Sequence, residues 1–333
     1  MAVSFKNLKS FVTAVDAASL SAAAQALKMA QPALSQQIAA LEQHFGGKLL
    51  QRSNLGVTAT AAGQELYKHA RLLLEQLEQA EREVARRGRA IGGTVSVGLA
   101  TYSTTSILAT PLLKATRERH PDINLFINDS FGLVLSEMVM TGRMDMALIY
   151  APAHLKGVTL EPLLVEELFL IAPPGAALPE PVAGGDDETL PLAALAGLDL
   201  LLPGRTHFLR RLIDGAFAQA GLQPRVRAEI ESAATLREAI ESGLGATILP
   251  WALTSTFTGA RHPQVRRVVE PALATTVSLC VPETMPMSQP AQAVREILVA
   301  LVRELLSGGR CVGLRAPAPP RGSGAASAPG RAS

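Results

Sequence analysis

The chain is 333 residues long, with 48% hydrophobic and 18% charged residues, so it has enough apolar side chains for two or more domains, each with its own hydrophobic core. Its two cysteines, Cys280 and Cys311, are too few for a disulfide scaffold and fit a reducing cytosol. The N-terminal segment is amphipathic rather than a secretory signal, and no apolar run reaches the roughly 18 residues that a membrane-spanning helix needs. We therefore expect a cytoplasmic protein, and the six scattered histidines predict neither a metal site nor another cofactor.

Charge is unevenly distributed along the chain. Residues 1–90 contain 11 Lys and Arg against 7 Asp and Glu, a net charge of +4, and the remaining residues contain 20 against 22, a net charge of −2. This positive charge is too small for a protein that binds nucleic acid non-specifically through charge alone. A DNA-binding N-terminal unit would therefore need the doubled contacts of a dimer, together with hydrogen bonds to the bases and the DNA backbone. An ordinary solvated surface explains the same charge equally well.

The first 45 residues predict three helices. Apolar residues at three- and four-residue spacing predict the first helix, and two short, tightly joined helices follow from residue 19. The apolar residues of the first helix are Phe5, Leu8, Phe11, Val12 and Val15. In the third helix the predicted inward set is Leu34, Ile38, Leu41 and Phe45, and the outward set is Pro32, Ser35, Gln36, Ala39 and Gln43. Gln and Ser near a helix N-terminus can contact base edges in a major groove, although a plain helical subdomain also explains the pattern.

A hairpin and a long helix follow. Residues 51–60 predict a short wing, in which Arg52 is suited to a phosphate contact. Residues 61–89 predict a helix of about 43 Å, long enough to separate two recognition helices on successive major grooves. Its apolar residues form an a/d seam, which predicts pairing with another helix. The seam consists of Leu66, Ala70, Leu73, Leu77, Ala80 and Val84.

From residue 91 onward, strands alternate with helices. The first unit reads βαβαβ with a parallel sheet, the second repeats the alternation, and a final strand and helix return to the first. We therefore predict an α/β domain over residues 91–306, with lobe I at about 91–163 and 268–306, lobe II at about 164–267, and a cleft between them. Residues 307–333 are rich in Gly, Pro, Ala and Ser and are predicted to be a disordered tail.

Several segments resemble the LysR-type transcriptional regulators. The matching residues in the N-terminal part are Ala23-Ala24, Leu27, Gln31-Pro32-Ala33, Ser35, Gln37-Ile38, Leu41-Glu42, Phe45-Gly46, Leu49-Leu50, Arg52 and Thr60-Ala61-Ala62-Gly63. Residues 142–147 and 243–250 match further signatures of the family. The resemblance implies a winged helix-turn-helix over residues 1–60, a dimerising linker helix over residues 61–90, and a two-lobed effector domain like the type 2 periplasmic-binding-protein fold.

The resemblance also implies partners and a DNA-reading set. A homodimer or homotetramer would bind promoter DNA, contact RNA polymerase, respond to a small-molecule effector or to its own abundance, and act as an activator or repressor. The implied DNA-binding residues are Ser21, Gln31, Pro32, Ser35, Gln36, Arg52 and Thr58. Two positions depart from the family pattern. Ala30 replaces a serine and removes a helix cap worth about 1 kcal/mol, and Gln36 replaces an arginine, which favours A·T pairs.

Within the family the chain resembles the nitrogen assimilation control proteins. The stretches that carry this likeness are residues 30–37, 56–60, 97–100, 229–232 and 292–298. Many regulators of other pathways share most of these residues, so a regulator of another metabolic pathway that responds to a small carboxylate is the alternative.

Polar side chains follow the carboxyl ends of the predicted strands, where α/β sheets bind ligands. The candidate effector-binding residues are Thr101, Ser103, Thr104, Ser130, Gly132, Tyr150, Pro203, Thr206 and His207. Their hydroxyls and histidine suit a small carboxylate or a similar anion, although Ser and Thr are also common as helix caps.

No nucleophile and base occur at a recognisable spacing, so we predict no catalysis. The remaining alternative, a solute-binding protein or an enzyme built on the same lobes, lacks both an export signal and such a catalytic pair.

Overall fold

The computed structural model describes residues 3–53, 56–85, 91–150, 155–179, 189–257, 262–308 and 311–318. The helices are α1 (Phe5–Asp16), α2 (Leu20–Ala26), α3 (Gln31–Phe45), α4 (Ala61–Ala85), α5 (Ala109–Arg119), α6 (Gly132–Met140), α7 (Phe208–Gln219), α8 (Ala233–Glu241) and α9 (Gln289–Ser307). The strands are β1 (Leu50–Ser53), β2 (Gly56–Ala59), β3 (Gly93–Ala100), β4 (Ile123–Ser130), β5 (Met146–Tyr150), β6 (Val158–Ala172), β7 (Thr189–Pro191), β8 (Leu200–Leu202), β9 (Val226–Glu229), β10 (Thr247–Pro250), β11 (Gln264–Val269), β12 (Ala274–Pro282) and β13 (Leu314–Arg315). Short 3-10 helices span Thr104–Leu108, Leu192–Leu195 and Trp251–Thr256.

The three N-terminal helices form where the sequence predicts them. The Ser4 hydroxyl accepts from the Asn7 N–H at 3.2 Å and caps α1, and the Ser19 hydroxyl caps α2 by accepting from the Ala22 N–H at 3.3 Å. Helix α3 begins after Ala30 without a side-chain cap, as predicted. Pro32 has no N–H that would need an acceptor, and the Ala33 N–H donates to the Ala30 carbonyl at 3.0 Å.

The N-terminal core is built mainly from α1 and α3. Phe11 and Leu34 are fully buried, and Ile38 and Leu41 are 1% exposed. The prediction that Phe45 also faces the core is wrong, because its side chain is 50% exposed. Phe45 is the last residue of α3, where Gly46 (φ +70°) ends the helix in the left-handed region, so its ring extends beyond the core.

The wing and α4 complete this unit. Strands β1 and β2 form an antiparallel hairpin. The seam of α4 was predicted to face a partner helix along its whole length, but Ala70 is fully buried and Leu66 packs against the N-terminal core. Further along the helix, Leu73 is 46% exposed and Ala80 is exposed. The first turns of α4 thus cover the core of the same chain, and apolar surface remains beyond them. The Val84 side chain and residues 86–90 lie outside the described part.

The C-terminal domain is built on a nine-stranded sheet of order β4-β3-β5-β12-β6-β11-β7, in which β10 and β13 also pair with β6. Strands β3, β4 and β5 are parallel, as the βαβαβ pattern predicts. Strand β6 has 15 residues, whereas the sequence predicts a strand only over its last five. Pro162 and three glutamates interrupt the apolar pattern of its first part. Strand β11, with two adjacent arginines, was also not predicted.

Strand β6 carries the chain from one lobe to the other. Its residues Val158 to Glu167 pair with β12 in lobe I, and Leu168 to Ala172 pair with β10 and β11 in lobe II. The chain returns to lobe I between β11 and β12. Helix α9 then packs over lobe I against α5 and β3, with Val294 and Leu298 fully buried.

The structure corrects the prediction of a disordered tail. Helix α9 continues to Ser307, and residues 311–318 are ordered against β6. Strand β13 pairs antiparallel with Val165 and Glu166, and the Glu167 N–H donates to the Gly313 carbonyl at 2.9 Å. Gly313 has φ +76°, and a Cβ there would lie 2.6 Å from the Phe169 ring. The segment is too short to show the hydrophobic periodicity from which a strand could be predicted. It is ordered because it adds a strand to the edge of an existing sheet. Residues 319–333 lie outside the described part.

Two C-terminal truncations test the contribution of β13. Deletion of residues 311–333 should lower the free energy of unfolding of the effector domain by about 1–2 kcal/mol, because backbone hydrogen bonds and the Leu314 contact are lost. Trp251, the one tryptophan of the chain, lies in this domain, so its fluorescence during denaturation gives the measurement. Deletion of residues 319–333 is the matched control and should leave the transition unchanged. Equal stability of the two truncated proteins would contradict this role of β13.

Candidate DNA interface and effector cleft

The N-terminal half of α3 presents a polar face to solvent. Gln31, Pro32 and Gln36 are exposed, Ser35 is half-buried, and the fully buried Leu34 points the opposite way. All four residues lie in the first two turns of the helix. They therefore form one surface at the helix end that a major groove can receive.

Ser21 lies on α2 and holds the first residue of this face. Its hydroxyl donates to Gln31 Oε1 at 3.2 Å. Because the amide oxygen of Gln31 is engaged, its NH₂ group is the part left to donate to another molecule. Gln37 serves a different purpose, since its Oε1 accepts from the Ser10 hydroxyl and ties α3 to α1.

Glu42 joins α3 to the wing and was missed as a site-building residue. Its carboxylate accepts from Lys48 Nζ at 2.6 Å and from the N–H groups of Leu49 at 3.1 Å and Leu50 at 3.4 Å. Partial burial raises the pKa of Glu42, but these donors outweigh burial and lower the pKa overall. Glu42 thus positions β1 relative to the recognition helix.

The wing carries two predicted DNA contacts. Thr58 is exposed on β2, opposite Gln51 of β1. The Arg52 backbone pairs with Val57 in the hairpin, and the Arg52 side chain lies outside the described part of the chain. The structure therefore brings Thr58 to the surface of the wing and leaves the placement of the Arg52 guanidinium as a prediction.

The region between the two lobes contains a buried carboxyl group that the sequence did not point to. Glu166 of β6 is fully buried. Its Oε1 accepts from the Ser103 hydroxyl at 3.1 Å and from the Tyr150 hydroxyl, and its Oε2 accepts from the Thr104 N–H at 3.0 Å. Burial raises the pKa of Glu166, and the hydrogen bonds from Thr104, Tyr150 and Ser103 oppose that rise. Three predicted effector-binding residues thus converge on an acidic side chain of the same protein.

Two tyrosines of lobe I make contacts across the cleft to lobe II, one by a hydrogen bond and one by ring stacking. The Tyr102 hydroxyl donates to the Ile230 carbonyl at 2.8 Å. The Tyr150 ring stacks on Phe208, with centroids 5.8 Å apart and an interplanar angle of 11°. Tyr102 has φ +65°, a strained conformation for a non-glycine residue that often occurs at ligand sites. These contacts hold the two lobes together at the carboxyl end of β3.

His207 from lobe II also reaches lobe I. Its ring meets Phe131 and Tyr102 edge-on, with centroids 5.3 Å and 5.6 Å away. Its Nδ1 accepts from the Leu209 N–H at 3.2 Å and caps α7, which requires that nitrogen to be unprotonated. Burial and the nearby Arg211 charge lower the pKa of His207 to about 4, although a hydrogen bond with the Thr101 backbone opposes them. The imidazole is therefore neutral near pH 7.

A cavity of about 110 Å³ lies beside these contacts. Its walls come from the N-terminal ends of α6 and α7 and from the residues around them. The lining residues are Phe131, Gly132, Leu133, Ser136, Tyr150, Leu155, Thr206, His207, Phe208 and Arg211. The cavity contains four of the predicted effector-binding residues: Gly132, Tyr150, Thr206 and His207.

The other predicted residues lie around this cavity. Thr101 and Ser130 are half-buried, and the Thr101 N–H donates to the Ser130 carbonyl at 3.1 Å. Pro203 is buried, and its carbonyl accepts from Arg210 Nη1 at 3.1 Å. Arg210 is 4% exposed and also pairs with Asp214 at 2.9 Å and Glu229 at 3.1 Å. This arginine fixes the loop that leads to His207.

The described ranges contain no helix that is both long and apolar enough to cross a membrane. Within the same ranges, no three His, Cys, Asp or Glu side chains are arranged to hold a metal ion.

Family comparisons match both parts of the molecule. A family model described as "Bacterial regulatory helix-turn-helix protein, lysR family" matches residues 5–64. A second, described as "LysR substrate binding domain", matches residues 88–303. The chain belongs to the LysR family. It is therefore a DNA-binding transcriptional regulator with an effector domain, and this interpretation is supported over that of a non-regulatory solute-binding protein.

Individual LysR-family proteins match over nearly their whole length. The chain is 38% identical to the nitrogen assimilation regulatory protein nac of Escherichia coli K12 over 303 residues, which cover 90% of this chain and 95% of that protein. Full-length OxyR of Pseudomonas aeruginosa has the same fold, with a TM-score of 0.71, 24% identity and coverage of 96% of this chain and 100% of that chain. Full-length CbnR in complex with its target DNA has a TM-score of 0.58 and 23% identity, and covers 90% of this chain and 99% of that chain.

The neutral His207 predicts a pH dependence of stability. The unfolded chain binds a proton at this residue below pH 6.5 and the folded protein only below about 4, so stability falls between these values as the pH drops. The loss at pH 4 should reach at most about 3 kcal/mol. It is measured by denaturation followed by Trp251 fluorescence. His207→Asn, which keeps a cap acceptor but cannot titrate, is the control. A pH profile of the variant as steep as that of the wild type would contradict the assignment.

Proposed function

We propose that this regulator controls genes of nitrogen assimilation. The observation that carries the proposal is the identity to the E. coli nitrogen assimilation regulatory protein, which extends through both the DNA-reading unit and the effector domain. The protein acts in the cytoplasm, where its promoter DNA lies, and does so without catalysing a reaction. RNA polymerase is its second partner at the promoter.

Base reading is assigned to the exposed end of α3. Gln31 and Gln36 donate to base edges, with Gln36 suited to adenine, and Pro32 and Ser35 contact the same groove. Ser21 orients Gln31, a role supported by their 3.2 Å hydrogen bond. Arg52 and Thr58 hold phosphates from the wing, which fixes the position of the helix in the groove.

A homodimer, or a homotetramer of two dimers, places two such helices on one promoter. The apolar surface of α4 beyond its first turns, including the 46% exposed Leu73, supports pairing of this helix with a second copy. Doubling the contacts compensates for the modest net charge of +4 in residues 1–90.

The cleft between the lobes is the proposed effector site. Gly132, Tyr150, Thr206 and His207 line its cavity, and Thr101, Ser130 and Pro203 lie around it. Ser103 and Thr104 are assigned to the same site through Glu166, to which Tyr150 also donates. Binding there would change how the lobes meet at Tyr102 and His207. A change in lobe closure would then alter the relative placement of the two DNA-binding units on the promoter.

Substitution of Gln36 tests base reading by α3. Gln36→Ala should weaken binding to a specific operator by about 1–3 kcal/mol, because one bidentate base contact is lost. Binding to unrelated DNA of equal length should not change. Gln43→Ala is the matched control, since Gln43 is also exposed on α3 but lies near its C-terminal end. Fluorescence anisotropy with both DNAs gives the measurement, and equal operator affinities for the two variants would exclude the assigned role of Gln36.

Genome-wide binding of the tagged protein tests the pathway. In cultures limited for nitrogen, peaks should fall at promoters of nitrogen-assimilation genes and share a partly dyad-symmetric sequence. Peaks confined to promoters of another pathway would keep the DNA-binding regulator and reject the nitrogen assignment. The Gln36→Ala variant, expressed to the same level, should lose these peaks.

A further inference from the structure

The sequence predicts candidate groups for an anion after several strands, and Ser103 and Thr104 are among those that follow β3. These two residues offer a serine hydroxyl and a backbone N–H. In the structure the same donors are already engaged. The Ser103 hydroxyl and the Thr104 N–H lie 3.1 Å and 3.0 Å from the two oxygens of Glu166, and the Tyr150 hydroxyl completes the set.

The main chain prevents Glu166 from moving aside. On one edge of β6, Glu166 is paired with Thr275 of β12, and on the other edge with Leu314 of β13. Its side chain is fully buried, so rotation away from the three donors would leave the carboxyl group without hydrogen bonds in an apolar environment. The carboxyl group is thus a permanent part of the cleft.

We propose that Glu166 acts as a built-in carboxyl ligand that occupies the anion position at Ser103 and Thr104 and excludes external carboxylates from it. An effector is thereby restricted to the neighbouring cavity, where Ser136, Thr206 and Arg211 supply the polar groups. The inference rests on the proposed function only in treating this cleft as the effector site.

Chemical rescue tests the proposal in the full-length protein. Glu166→Ala removes a CH₂–COO group, which corresponds to one acetate ion. The variant should have a Tm several degrees below that of the wild type, and acetate should restore much of that loss in a saturable way, relative to chloride at equal ionic strength. Benzoate, which is too large for the vacated space, should not. The Tm is followed through Trp251 fluorescence.

Two controls define the result. The wild type should respond to acetate no more than to chloride, because its donors are occupied. Glu161→Ala removes a carboxylate from the same strand, where Glu161 pairs with Arg295 at the surface, and should gain no response to acetate. Stabilisation of the wild type by acetate that equals that of Glu166→Ala, or a folded Glu166→Ala variant that ignores acetate, would overturn the proposal.

Glu166→Gln keeps the test decisive if Glu166→Ala does not fold. The amide fills the same space, but its NH₂ group must face one of the donors that a carboxyl oxygen now accepts from. This variant should therefore have a lower Tm than the wild type, and acetate should not restore it because the space is filled. Specific stabilisation of this variant by acetate would again reject the proposal. These measurements use no DNA, so their outcome is independent of the operator affinities and promoter peaks that test the proposed function.

Discussion

The cost of burying the Glu166 carboxyl group constrains the whole cleft. A carboxyl group removed from water is tolerated only when donors surround it, so Ser103, Thr104 and Tyr150 have to remain in place. The chain can reach Ser103 from β3 only through Tyr102, which takes the left-handed conformation. That bend points the Tyr102 hydroxyl at Ile230 of the other lobe. A single buried group on the crossing strand thus sets the geometry of the contact between the lobes.

The DNA-binding unit depends on a different kind of constraint. Its recognition helix is positioned by short polar contacts to each neighbouring element: Ser21 from α2, Ser10 from α1, and Glu42 towards the wing. These contacts lie on the sides of α3 and leave its exposed N-terminal end free for DNA. The surface that we propose to read bases is therefore held in place without being covered.

Local patterns in the sequence predicted most helices and the parallel strands, because helical spacing and apolar runs depend on neighbouring residues. Phe45 was misplaced because spacing alone does not show where a helix leaves its core. Glu166 was missed because it lies in the part of β6 whose mixed sequence did not predict a strand, and its partner Ser103 lies 63 residues away. Tyr102 and Ile230 are separated by 128 residues. Such pairs follow from the topology of the two lobes, which no local pattern contains.

The β13 strand also protects the molecule from unwanted association. Beside Val165 and Glu166 it covers an edge of β6 whose N–H and C=O groups would otherwise be open to a strand from another chain. A protein fused or cut directly after Ser307 would present that edge to its neighbours and would be prone to strand exchange and aggregation. A fusion joined beyond Ala318 would leave the edge covered. The position of the junction therefore affects whether a tagged protein aggregates.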